Sequence, residues 1–171
     1  MYYNMTNISI RDIAKNYTNT EEYGVWAMGD RLCCRPAYQR EFVYSPEQQV
    51  AVIQSILAGA PLGLCYWNLV PANTEDEFDT YEIIDGQQRT LSILEYVNNA
   101  YTVNEKYFKN LTDDQREKIL DYPLMVCICS GTDSERLKWF ETINIAGEKL
   151  TTQEIRNATY VGPWLTDAKK L

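Results

Sequence analysis

The chain has 171 residues, 45% apolar and 23% charged, which fits one globular domain with a sizeable core and excludes a disordered or fibrous chain. Its net charge of −8 argues against autonomous nucleic-acid binding by phosphate neutralisation, and the absence of histidine removes the commonest general base and any histidine-bearing nuclease centre. No apolar run approaches a bilayer span and the start lacks a secretory pattern, so the expected setting is the cytoplasm without a membrane partner.

Ser9 is placed to cap a short helix with Ile10, Ile13 and Ala14 on its apolar face. The polar, turn-rich stretch from Asn16 to Gly24 reads as a loop, and a short strand is expected to end in Leu32-Cys33-Cys34. Pro36 forbids regular helix across Arg35–Arg40, which reads as an ordered loop. Ser45-Pro46-Glu47-Gln48 is a helix start: serine at the N-cap, proline at the first helical position, glutamine as the return arm of a capping box. Val50, Ile53 and Leu57 define its buried face and Gly59 ends it. Beyond Pro61, Leu64–Val70 has the length of a strand, followed by an acidic loop from Pro71 to Thr80.

Tyr81–Thr90 is the organising stretch. Ile83 and Ile84 predict a short buried strand, Asp85-Gly86 a tight turn, and Leu91, Leu94 and Val97 a helix. Gln87, Gln88 and Arg89 then stand at a helix start, where free backbone N–H groups and the helix dipole favour an anion. Arg89 adds a planar fork suited to phosphate oxygens, and Asp85 an oxygen able to hold magnesium or polarise a water. Taken alone, the plainer reading of a chain reversal with an exposed first helical turn has the better claim. The glycine spacing is neither a P-loop nor a dinucleotide fingerprint.

Downstream, Thr112 and Gln115 form a second capping box for a helix through Leu120, and Leu124–Cys129 reads as a strand buried on both faces. Thr132 or Asp133 caps a helix carrying Leu137, Phe140 and Ile143, which Gly147 stops. Thr151 and Glu154 open another helix through Tyr160, and beyond Gly162-Pro163 the residues Leu165, Ala168 and Leu171 share a face. The chain is thus expected to be a single domain over 1–171, helical from about residue 132, and the N-terminal domain of a longer protein. Five cysteines without zinc spacing read as reduced, buried thiols.

Four stretches agree in identity and order with a known family. Pro36–Tyr44, containing Tyr38-Gln39-Arg40, is followed by Ser55–Gly63, then Ile84-Asp85-Gly86-Gln87-Gln88-Arg89, then Phe140–Asn144 leading through Gly147 and Leu150 to Glu154. Together they resemble the N-terminal domain of GmrSD-type restriction endonucleases over roughly residues 9 to 160. The resemblance implies an α+β fold similar to the ParB and sulfiredoxin nucleotide-binding folds. It also implies binding, with possible hydrolysis, of a nucleoside triphosphate with Mg2+. Tyr38, Gln39, Arg40, Gly86 and Arg89 are then the nucleotide-binding residues. Asp85, Gln87 and Gln88 are the catalytic candidates, Asp85 also holds the metal, and Asn144 is peripheral. The family commonly has tryptophan where Tyr44 stands. Complete members often carry a second domain with a histidine-containing nuclease motif, so cleavage would come from a C-terminal nuclease domain or a partner subunit, with DNA reached only through it.

Two other readings compete. One is a nonenzymatic recognition module for a partner protein or DNA, with Trp26, Trp67, Trp139 and Trp164 available to an interface. The other, redox chemistry by analogy with sulfiredoxin, needs an exposed reactive thiol at the turn, where this sequence has glutamines.

Overall fold

A computed structural model describes residues 1–36, 44–75 and 77–142. In chain order these form β1 (Tyr2–Ser9), α1 (Ile10–Ile13), β2 (Thr18–Thr20), β3 (Gly24–Ala27), β4 (Leu32–Cys33), α2 (Pro46–Leu57), β5 (Cys65–Val70) and β6 (Thr80–Asp85). There follow α3 (Gln87–Val97), a short 3-10 helix at Phe108–Asn110, α4 (Asp113–Leu120), β7 (Pro123–Ser130) and α5 (Asp133–Thr142). The architecture is α+β, as expected. The strands make one seven-stranded mixed sheet in the order β1-β7-β5-β6-β4-β3-β2, so β6, which leads into the Asp85-Gly86 turn, is its middle strand.

β6 runs antiparallel to β5 and parallel to β4, while β5 is parallel to β7. The β5–β6 register shifts between Tyr66 and Trp67, so an irregularity sits immediately before the turn, where it can re-aim the end of the strand. Trp67, Ile83 and Val126 from the central strands form the core with Ile53 and Ile56 of α2 and Leu91 and Leu94 of α3. α2 packs against both α3 and α4. This burial fixes where α3 begins, and hence where the turn points.

Local signals for the helices hold. Ser9 caps α1, its hydroxyl accepting from the Asp12 N–H at 3.2 Å. At α2, Gln48 N–H donates to the Ser45 hydroxyl at 3.2 Å and Ser45 N–H to the Gln48 side-chain oxygen at 2.8 Å. Thr112 and Gln115 make the same reciprocal pair at α4. At α5 the capping residue is Thr132, which exchanges bonds with Glu135, while Asp133 pairs with Arg136.

The sheet differs from expectation at its edges. β1 is an eight-residue strand that the sequence reading lacked, paired antiparallel with β7 along its whole length. Its residues, Tyr-Tyr-Asn-Met-Thr-Asn-Ile-Ser, show no apolar alternation because an edge strand has little to bury. The stretch read as a loop from Asn16 to Gly24 contains β2, hairpin-paired with β3. β7 is not buried on both faces throughout: Pro123 and Met125 are exposed while Leu124 and Val126 face the core. Burial of both faces begins only at Cys127. The residues Tyr38, Gln39, Arg40, Ile143, Asn144, Gly147 and Glu154, and the segments predicted beyond them, lie outside the described residues.

Candidate phosphate-binding turn

β6 ends at Asp85, and Gly86 turns the chain into α3 in the left-handed conformation, φ +94° and ψ 11°. Both backbone and space demand glycine here. A Cβ at this position would lie 2.5 Å from the Cys65 sulfur and 3.3 Å from Arg89 Nη2. The Gly86 carbonyl accepts from the Thr90 N–H at 3.0 Å and from the Thr90 hydroxyl at 2.9 Å, which locks the first helical turn. As N-cap, Gly86 brings no side chain to the first amides of α3, the positive end of the helix dipole.

Gln87, the first residue of α3, is 5% exposed, and its Nε2 is buried with no hydrogen-bond partner among the described residues. An amide nitrogen in that state is uncommon and calls for an explanation. Gln88 ties the turn to the start of α2: its Oε1 accepts from the Tyr44 N–H at 3.0 Å, and its backbone carbonyl accepts from Ser92 Oγ at 2.7 Å. The sequence motif upstream of α2 is thereby brought against the turn at its last residue, Tyr44.

Arg89 does something the sequence did not show. Its Nη1 donates to the Leu62 carbonyl and its Nη2 to the Leu64 carbonyl at 2.9 Å, bracing the segment that leads into β5. Gly63, between them, is itself left-handed (φ +83°), and a Cβ there would stand 3.2 Å from Arg89 Nη1. Arg89 Nη2 also lies 3.9 Å from Asp85 Oδ2. The fork expected to meet phosphate therefore holds two backbone carbonyls.

Burial raises the Asp85 carboxyl above the ordinary aspartate value, opposed by the Arg89 charge and by the Gly86 N–H. Among the described residues no group of three or more His, Cys, Asp or Glu is placed to hold a metal. Asp85 offers carboxylate oxygens at the turn, a ligand type that suits a magnesium ion whose other ligands are phosphate oxygens and waters.

Although Ser55–Gly63 belongs to the family resemblance, sequence reasoning did not connect Leu62–Leu64 or Cys65 with the turn, because both reach it through the β5–β6 pairing. A thiol does sit at the turn, against Gly86, but it is 1% exposed and burial pushes its pKa up despite the Arg89 charge. Burial likewise pushes Cys34 and Cys129 up, the latter to about 12, so none of these is an activated thiolate. A cleft of about 560 Å³ is lined by Ile56, Leu62, Gly63, Tyr122, Leu124 and Met125 among others, but by none of residues 85–89.

No helix among the described residues is long and apolar enough to cross a membrane. No curated protein and no solved structure matches the chain significantly. A family model does: that of the GmrSD restriction endonuclease N-terminal domain, over residues 26–161. The match spans the α2 entry, the central turn and α5, and on this basis the chain belongs to the family of GmrSD restriction endonuclease N-terminal domains, which ties it to restriction systems.

Proposed function

We propose that this domain binds a nucleoside triphosphate with Mg2+ at the Asp85–Arg89 turn, as the regulatory part of a restriction and phage-defence system. The observation that carries the reading is the buried Gln87 Nε2, without a partner among the described residues, at the glycine-capped start of α3. A phosphate oxygen is an acceptor that would satisfy Nε2 and meet the helix dipole together. Asp85 supplies one oxygen to the magnesium ion, and the metal neutralises phosphate charge. Arg89 shapes the turn and sets its charge beside the phosphates, and Arg40, with Tyr38 and Gln39, adds a second positive group, as the family resemblance implies. In hydrolysis, Gln88, Gln87 or Asp85 orients the attacking water. The fold is read as ParB/sulfiredoxin-like on the same grounds. DNA cleavage resides in a C-terminal nuclease domain or partner subunit.

Calorimetric titration with ATP, GTP, CTP and UTP, each with magnesium, tests the reading on the native protein and on Gln87→Met. Binding by at least one nucleotide, weakened in the variant, is expected. No binding by any of the four, or equal binding by both proteins, refutes the site.

A further inference from the structure

We propose that β1 is the docking edge for a second copy of this chain, the two β1 strands pairing antiparallel about a two-fold axis to continue the sheet. Among the described residues β1 is the terminal strand of the sheet and is hydrogen-bonded on one side only, to β7, over eight consecutive pairs. Its free side is a row of backbone donors and acceptors about 27 Å long, from eight residues at about 3.4 Å each. Edges of this length in monomers are blunted by charge, proline or a bulge. β1 has none of these: Tyr-Tyr-Asn-Met-Thr-Asn-Ile-Ser carries no charge, and its register with β7 is unbroken. The opposite edge, β2, has only three residues.

Exposed apolar side chains gather at the same place. Of the eight large ones exposed among the described residues, Tyr3, Met5 and Met125 share one face of the β1–β7 pair, Tyr2 stands on the opposite face, and Met1 precedes the strand. Tyr2 is 81% and Tyr3 72% exposed. Such clustering marks an interaction surface, whereas scattered single residues do not.

The chemistry selects the occupant. A net charge of −8 disfavours nucleic acid and anionic membranes, leaving protein. An uncharged edge matches another uncharged edge, and antiparallel pairing about a two-fold axis makes β1 self-complementary.

Analytical ultracentrifugation of the native chain, from low micromolar to several hundred micromolar, tests this against Tyr3→Lys, Met5→Lys and, as an exposed aromatic elsewhere, Phe78→Lys. A concentration-dependent dimer is expected, its dissociation constant raised at least about tenfold by either β1 substitution, because each places its charge twice about the axis. Phe78→Lys should leave it unchanged, and all variants should keep the native thermal midpoint. A monomer at every concentration overturns the proposal, as does a dimer that survives both β1 substitutions. Hydrogen exchange adds a third test: β1 amides equally protected in dilute monomer would mean that another part of the chain covers the edge.

Discussion

Replacing Gln87 with methionine keeps an unbranched side chain of similar length in the same buried volume and deletes its amide. In the native protein that amide nitrogen is buried without a partner among the described residues, on a residue only 5% exposed. An unsatisfied buried polar group costs about 1–3 kcal/mol, so the variant should be more stable by about 1 kcal/mol in the absence of ligand. For a domain of this size that is a rise in Tm of about 2–4 °C. The same change removes a donor to a charged phosphate, worth about 1.5–3 kcal/mol, so nucleotide affinity should fall about 10- to 150-fold. Stability and affinity therefore move in opposite directions at one side chain. Urea denaturation without ligand and calorimetric titration with it measure the two effects separately. A variant that is less stable and binds nucleotide as well as the native protein would refute the reasoning, since Gln87 would then be a packing residue.

Arg89→Lys should destabilise the protein by about 1–3 kcal/mol, because an ammonium cannot hold both the Leu62 and Leu64 carbonyls; faster hydrogen exchange around residues 62–64 would report the loss. Unchanged stability with lost nucleotide affinity would instead give Arg89 to the ligand. Gly86→Ala combines left-handed strain with a contact 2.5 Å from the Cys65 sulfur, a loss of at least about 3 kcal/mol in urea unfolding. Adding Cys65→Ala should recover part of it, with a coupling of about 0.5–3 kcal/mol, whereas strict additivity would show that the sulfur contact is immaterial. Asp85 has a folded-state pKa above its unfolded one, so the folded protein binds this proton more tightly. Its stabilisation is complete below the unfolded value and is lost as pH rises through the folded value, in the window above the ordinary 3.8. Asp85→Asn should abolish that decline in urea midpoint, and identical pH profiles for the two proteins would refute the shift.

The elements legible in the sequence are those whose determinants are neighbours along the chain. A capping box needs residues three apart, so Ser45 with Gln48 and Thr112 with Gln115 announced α2 and α4 unaided. Likewise Ile83-Ile84, Asp85-Gly86 and the Leu91, Leu94 spacing announced strand, turn and helix, since each depends on local periodicity or one residue's backbone freedom. β1 stayed hidden because its partner, β7, lies more than a hundred residues away and it buries too little to show alternation.

At the turn the division is the same. The sequence alone determined that a glycine reverses the chain into a helix start bearing Gln87, Gln88 and Arg89, because glycine is the residue that adopts this φ without strain. Only the tertiary structure decided what those side chains do. Pairing of β5 with β6 placed Cys65 beneath Gly86 and the Leu62 and Leu64 carbonyls within reach of Arg89. Packing of α2 against α3 brought Tyr44 to Gln88, and burial left Gln87 Nε2 without a partner among the described residues. A side chain's type fixes which bonds it can make, but which of them it does make depends on groups that folding brings from distant parts of the chain.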